Sequence, residues 1–291
     1  MTMTNYIQQH KKNFDFKQFV KLALQEDVGD GDHSALATVP ANAKGKCKLL
    51  IKENGIIAGI EAAKEIFKLI DPKFKFTAIL KDGDSVKVGD IAFYIEGKSQ
   101  TLLTAERLVL NVMQRMSAIA TKTNYLQSLC KGTKAKVIDT RKTTPNFRFF
   151  EKWAVVIGGG ANHRYGLYDM IMIKDNHIDF AGGIIEALDA THLYLKKYKK
   201  KLPIEVETRS IQDVTLLLAK SGFQRIMLDN YSIANTKKAV ALINHQFEVE
   251  SSGGITEKTI AKYAQCGVDF ISVGALTHHV KSLDLSLKAV K

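Results

Sequence analysis

The side chains with the most chemistry to offer crowd one stretch, Val137 to His177. An apolar run stops at Asp139, Thr140, Arg141 and Lys142. A second, Met170 to Ile173, stops at Lys174, Asp175, Asn176 and His177. Between them lie Gly158-Gly159-Gly160 and Asn162-His163-Arg164. Cations gathered this closely repel one another unless an anion fills the space between them, so the stretch reads as a pocket for a multiply charged anion. Arg141 and Arg164 can each grip a carboxylate or phosphate through two parallel hydrogen bonds, which Lys142 and Lys174 cannot. A single histidine is more often structural than catalytic, but His163 lies within the cationic stretch. Lys174 also offers a rival chemistry: a desolvated lysine there could form a Schiff base, as in barrel aldolases. That rival leaves Arg107, Arg141, Lys142 and Arg164 with little to do.

The elements that must hold these groups alternate. Apolar runs at 135–140, 170–175, 203–208, 225–230, 247–252 and 269–275 read as strands, with helices at 181–200, 211–220, 233–243 and 256–265. Continuous apolar strands alternating with helices imply a parallel sheet covered on its outside, and this spacing suggests a (β/α) barrel more than an open sheet. The strand ends then carry Arg141/Lys142, Lys174/Asp175, Glu207, Asp229/Asn230, Ser251/Ser252 and Gly274, a polar ring where barrel active sites lie. Glu207 and Asp229 could hold Mg²⁺ or steady a developing positive charge; they could equally pair with Lys174 and Arg141. Ser252, Gly253, Gly254 and Gly274, with a helix expected from Thr256-Glu257, suit phosphate; the alternative is that the glycines only make tight turns. The triple glycine lacks both the Walker and the dinucleotide pattern.

Before the barrel, the pattern is that of a small α+β unit. Residues 14–25 read as a helix, followed by an acidic, glycine-rich turn whose spacing is not that of a calcium loop. Residues 46–51 alternate as a strand, Asn54-Gly55 predicts a hairpin turn with 56–60 as its return strand, and 61–70 read as a helix. Strands follow at 74–80 and 91–95. From Thr101 to Leu129 the pattern is helical, and Arg107 within it needs either a local glutamate or a ligand.

With 291 residues, 45% hydrophobic and 25% charged, the chain has the make-up of a globular protein. Its net charge of +12, from 42 basic and 30 acidic residues, favours anionic partners. Much of that charge reads as solvated, as in the cluster Lys196, Lys197, Lys199, Lys200 and Lys201 at a helix end. A nucleic-acid binder would interleave aromatics with its cations, and only Tyr198 hints at that, so no nucleic-acid partner is expected. No apolar run approaches the ~20 residues of a membrane helix, and the start has no apolar signal core, so no membrane and no export are expected. Cys47, Cys130 and Cys266 form neither a disulfide framework nor a CxxC site, which fits a reducing cytosol.

Longer motifs add to this reading. QEDVGDGDHS, TAERLVLNVMQRMSAIAT, TRKTTPNFR, GGGANHRYGLYDMIMIKDNH, IEVE, IMLDN, SSGGIT and ISVGALTH together span nearly the whole chain. The chain resembles the quinolinate phosphoribosyltransferases. That resemblance implies an N-terminal α/β sandwich-like domain, residues 1–116 joined by 279–291, and an incomplete, seven-stranded α/β barrel, residues 117–278. It implies transfer of a phosphoribosyl group from phosphoribosyl pyrophosphate to quinolinate with decarboxylation, with Mg²⁺, on the route to NAD. By resemblance Arg141, His163, Arg164 and Lys174 line the quinolinate site with Lys142, Thr140 also binds substrate, and Lys174, Glu207 and Asp229 are catalytic. Glu207 and Asp229 lie near ribose and metal, and Ser252, Gly253, Gly254 and Gly274 form the phosphate loops. Arg107 would reach into the neighbouring subunit's site of a homodimer, or of a hexamer built from dimers. Two positions depart from the family pattern. Asn146 replaces a glycine, which a left-handed turn would tolerate, and Ser34 stands where a threonine is expected. A molybdenum-uptake-associated relative shares the fold but departs in the substrate-binding cations that this chain keeps.

Overall fold

A computed structural model describes residues 3–10 and 12–290. In chain order it contains α1 (Met3–His10), α2 (Phe16–Val28), α3 (His33–Thr38), β1 (Lys44–Ile51), β2 (Gly55–Ile56), α4 (Ile60–Ile70), β3 (Lys75–Ala78), β4 (Ser85–Val86) and β5 (Ile91–Lys98). Then come α5 (Ser99–Leu129), β6 (Lys136–Ile138), α6 (Arg148–Ile157), β7 (Ile171–Ile173), α7 (Asp175–Ala181), α8 (Ile184–Lys197), β8 (Ile204–Thr208) and α9 (Ile211–Leu218). The chain continues with β9 (Arg225–Asp229), α10 (Ile233–Ile243), β10 (Glu248–Ser252), α11 (Ile260–Gln265), β11 (Phe270–Ser272), α12 (Ala275–His278) and β12 (Leu285–Ala289). It packs as two compact units. The first takes the chain up to Asn124 with Thr143–Gly159 and Leu276 onward; the second takes Tyr125–Lys142 and Gly160–Ala275.

The first unit is built on an antiparallel sheet of order β12-β1-β5-β3. Leu49 and Ile51 of β1 and Phe93 and Ile95 of β5 are fully buried, with Ile66 and Phe67 of α4. Each such side chain contributes about 2–3 kcal/mol of burial. The expected hairpin at Asn54-Gly55 does not form. β2 pairs with β4 instead, because Asn54 Oδ1 accepts the Val88 amide at 2.9 Å and Ile57 donates to Asp84 O at 3.0 Å. Residues beyond Ile56 turn into α4, whose first amides donate to Asp82 at 2.8 Å (Ile60) and 3.2 Å (Glu61). The acidic, glycine-rich turn is a helix junction: Gly29 ends α2 at φ 56° and Asp32 caps α3, with Ser34 exposed on it.

An arginine in the apolar α5 does find an acidic partner, but it is Arg115. Its Nε and Nη2 donate to the fully buried Glu151 at 3.0 and 2.8 Å, and its Nη1 donates to Val280 O at 3.2 Å. Thr277 O accepts a further bond from it. α6 is the aromatic anchor of this unit, with Phe149 stacked on Phe14 at 4.3 Å and edge-on to Tyr6 at 5.1 Å.

The second unit holds a six-stranded, all-parallel sheet of order β6-β11-β10-β9-β8-β7. Ala161 adds a single parallel bridge to Ile138 on the outer edge of β6, a seventh strand position one residue long. β6 and β7 are not hydrogen-bonded to each other, so the barrel is incomplete rather than closed. The segment from Ala161 to Met170 links these two edges: it starts at the β6 bridge and ends where β7 begins. Among the described residues no helix is long and apolar enough to cross a membrane.

Candidate active site

Alternation along the strands sorts side chains between two faces. Ile204, Val206, Ile226, Leu228, Val249 and Ile271 are buried and apolar. The residues between them form the other face: Glu205 and Glu207 on β8, Arg225, Met227 and Asp229 on β9, and Glu248, Glu250 and Ser252 on β10. Register pairs Glu205 with Arg225, Glu207 with Met227, and Ser252 with Asp229. The second face is thus polar and charged, an arrangement that needs partners or ligands.

At the carboxyl ends, Lys174 follows β7 and its Nζ lies 4.0 Å from Glu207 Oε2. The Asp175 amide approaches Glu207 Oε1 at 3.4 Å. Burial first, then the charge of Asp229, pushes the Glu207 carboxyl above its ordinary range, against the pull of Lys174. The charge of Asp229 therefore repels that of Glu207. That repulsion is what a divalent cation between two carboxylates relieves, so the pair fits Mg²⁺. Asn230, held at φ 55°, donates its amide to Asp229 Oδ2 at 2.7 Å.

The cations meet on the loop side. Burial first, then the charge of Arg141, lowers the pKa of Arg164, while Glu205 and Asp169 raise it. The charge of Arg141 thus acts on Arg164. Arg164 Nη1 donates to Met170 O at 3.3 Å, and the loop behind it is pinned by Asp169, which accepts the amides of Tyr165 at 2.6 Å and Gly166 at 3.0 Å. Thr140 Oγ1 accepts the Lys142 amide at 3.0 Å, turning the chain so that Arg141 and Lys142 are exposed.

His163 is placed differently. Its ring is buried, with Nε2 2.8 Å from Glu205 Oε2 and 3.5 Å from Glu250 Oε2. Nδ1 accepts the Arg164 amide at 2.6 Å, so the ring proton sits on Nε2. Asp139, fully buried, accepts the His163 amide at 2.9 Å and the Asn162 side chain at 2.6 Å.

After β10, Gly253 and Gly254 take φ of 91° and 59°. A Cβ on Gly253 would lie 2.2 Å from Asn230 Oδ1 and 2.8 Å from its amide nitrogen, so only glycine fits; at Gly254 the space is open. The helix expected at Thr256 begins four residues later, at Ile260, because Thr256–Thr259 form a turn in which Thr259 Oγ1 accepts the Thr256 amide at 3.0 Å. Amides of the loop, not a helix terminus, are therefore what this end offers an anion. Gly274 lies between β11 and α12.

Arg107 lies on α5 in the other unit; it is exposed, and among the described residues no carboxylate pairs with it. Three residues that matter to the site were not singled out from sequence: Glu205, Glu250 and Arg225. Glu205 was visible only as the first glutamate of IEVE. Its period-two spacing from Glu207 on β8 was the one available signal.

The family model for the C-terminal domain of quinolinate phosphoribosyl transferase matches residues 119–288, and that for the N-terminal domain matches 32–117. Quinolinate phosphoribosyltransferase [decarboxylating] 1b of Nicotiana tabacum is 46% identical over 290 residues, covering 94% of this chain and 82% of its own length. Probable nicotinate-nucleotide pyrophosphorylase [carboxylating] of Bacillus subtilis is 37% identical over 275 residues, with 94% and 93% covered. The crystal structure of NadC from Streptococcus pyogenes superposes with a TM-score of 0.89 at 38% identity, covering 95% of this chain and 97% of that one.

Proposed function

The chain belongs to the quinolinate phosphoribosyltransferase family, and on that basis we propose how its own residues divide the work. The reaction is phosphoribosyl transfer from phosphoribosyl pyrophosphate to quinolinate with decarboxylation, a step of NAD biosynthesis that yields nicotinate mononucleotide, carbon dioxide and pyrophosphate. Quinolinate is a dianion and its partner carries more negative charge still, so the two meet only where cations offset their repulsion. Arg141 and Arg164, with Lys142, Lys174 and Thr140, hold the quinolinate carboxylates. The observation that carries this reading is the charge of Arg141 acting on Arg164, with Lys174 4.0 Å from Glu207 at the carboxyl ends of β7 and β8. Ser252, Gly253, Gly254 and Gly274 receive the phosphates of the donor.

Glu207 and Asp229 face the ribose and would hold Mg²⁺, which when bound neutralises charge on the departing pyrophosphate. As the bond from ribose to pyrophosphate breaks, the electron pair leaves with pyrophosphate and the ribose gains positive charge, which the two carboxylates stabilise. The ring nitrogen of quinolinate forms the new bond and becomes cationic. It then steadies the electron pair left on the adjacent carbon when that carboxylate departs as carbon dioxide, and a proton from Lys174 or water completes the product. Arg107, exposed on α5, would complete the site of a partner subunit in a homodimer. Three unpaired thiols suit a reducing compartment, and we place the enzyme in the cytoplasm.

A Schiff base on Lys174 finds less support. Its side chain is 46% exposed and faces a carboxylate, without the burial that frees such an amine. Product analysis tests the assignment: quinolinate and phosphoribosyl pyrophosphate should give nicotinate mononucleotide and carbon dioxide one to one. Equal turnover of nicotinate in place of quinolinate would overturn it, as would a borohydride-trapped adduct at Lys174.

A further inference from the structure

The turn after β9 ties together two parts of the site that the reaction as described uses separately. Asn230 follows Asp229 directly and stands at φ 55°, in the left-handed region. Its backbone amide donates to Ser252 O at 2.9 Å, one bond beyond the Asp229–Ser252 pair that ends the β9–β10 ladder. Its side-chain Nδ2 donates to Asp229 Oδ2 at 2.7 Å. A carboxylate can only accept, so this bond fixes which end of the amide faces Asp229 and gives Oδ1 to the other side. There Oδ1 lies against Gly253, where a Cβ would come within 2.2 Å of it and 2.5 Å of Cγ.

The turn is braced independently of that side chain. Tyr231 is buried; its OH donates to Thr208 Oγ1 at 3.1 Å, and Thr208 Oγ1 donates in turn to Met227 O at 2.9 Å. From α11, Tyr263 OH donates to Tyr231 O at 2.8 Å. The backbone therefore has its own supports, and the exposed Asn230 side chain is not needed to hold it. The residue type is also narrowly chosen. Glycine, asparagine and aspartate accept a left-handed backbone most readily, and of these three asparagine alone carries a side-chain donor. Unlike a lysine or an arginine, its amide orients a carboxylate without cancelling the charge, and so leaves acceptor capacity for a cation or a hydroxyl.

We propose that Asn230 is a positioning residue for phosphoribosyl pyrophosphate: it aims the Asp229 carboxylate and seats the Gly253 turn, so that the carboxylate facing ribose and the loop receiving phosphate are held as one unit. Without the bond from Nδ2, the Asp229 side chain can turn about its own torsions; without Oδ1 beside it, the Gly253 turn loses one wall. Both losses fall on the geometry in which the same substrate must be held. The inference rests on Asp229 and Gly253 serving phosphoribosyl pyrophosphate, as proposed above.

The test compares Asn230→Gly, Asn230→Asp, Asp229→Ala, Gly253→Ala and the double variant Asn230→Gly/Gly253→Ala in the full chain. Calorimetry without quinolinate reads the binding of phosphoribosyl pyrophosphate, steady-state kinetics both KM values, and urea unfolding the stability. Glycine suits the left-handed turn, so Asn230→Gly should keep the wild-type urea midpoint. It should weaken phosphoribosyl pyrophosphate binding about tenfold or more and raise that KM alike, with the quinolinate KM within about twofold. Asn230→Asp keeps the turn but not the N–H group, and should bind no better than Asn230→Gly. Gly253→Ala should weaken binding less in the Asn230→Gly background than in the wild type, because its Cβ no longer meets Oδ1 and Cγ. Unchanged binding in Asn230→Gly would overturn the proposal, as would wild-type behaviour of Asn230→Asp or additive losses in the double variant. A rise in both KM values together with a lower midpoint would make Asn230 a structural residue and overturn it too. Should Asp229→Ala leave phosphoribosyl pyrophosphate binding unchanged, the assignment of Asp229 itself fails; should it weaken binding while Asn230→Gly does not, only the role of Asn230 is refuted.

Discussion

At the scale of single residues, location separates exposed cations from cations that build the core. Arg141 is exposed, whereas Arg115 is bound into the core of its unit by Glu151. Arg141→Ala should therefore raise the quinolinate KM about tenfold to a hundredfold, the loss of a charged hydrogen bond, and leave the urea midpoint unchanged. Arg115→Ala should do the reverse: it leaves the buried Glu151 carboxylate without its cation, with Thr144 left to donate to it, and costs about 3 kcal/mol in urea unfolding. Asn146 shows how a residue out of pattern can still serve. Its φ is 61°, the left-handed turn that a glycine would make. Asn146→Gly should be neutral or stabilising by less than about 1 kcal/mol, and Asn146→Val destabilising, in the same unfolding assay.

At the scale of elements, the loops and caps set what the strands present. Gly253 is held by Asn230 on one side and by φ 91° on the other, while Gly254 has open space and only φ 59° to satisfy. Gly253→Ala should thus lower the urea midpoint and weaken phosphoribosyl pyrophosphate binding more than Gly254→Ala does. In the other unit, Asp82 caps α4. Burial raises its pKa to about 6 despite the amides of Ile60, Glu61 and Gly59, which lower it. A folded value above the unfolded one means that the native state binds the proton more tightly. Its contribution to stability is full below about pH 4 and is lost as the pH rises through about 6. The stability difference between wild type and Asp82→Asn should follow that window in urea titrations run from pH 4 to 7.

At the scale of the whole molecule, one exposed arginine offers a test of how many chains make a site. Arg107 lies on α5, and among the described residues it has no carboxylate partner. If it serves a neighbouring subunit, Arg107→Ala and Lys174→Ala should each be nearly inactive alone. Mixed and allowed to exchange, they should recover about a quarter of wild-type activity, since half the dimers are mixed and each rebuilds one site. No recovery, despite mixed dimers seen by native mass spectrometry, would place Arg107 in the site of its own chain.

What the sequence by itself determined was the order of parts: six apolar runs, the polar residues that end them, and the helices between. These follow from local periodicity and from residue types, which no distant contact alters. The same patterns misplaced whatever depended on a partner. Asn54-Gly55 carries a hairpin signal, yet its strand pairs with β4, because distant amides and carbonyls compete for the same backbone. Arg107 in α5 called for an acid or a ligand; packing gives an acid, Glu151 on α6, to Arg115 instead. His163 lies in a cationic stretch, but which way its ring turns is settled by Glu205 and Glu250, on strands 42 and 87 residues further along the chain. A buried charge has no local signature; its partners exist only once the strands stand side by side.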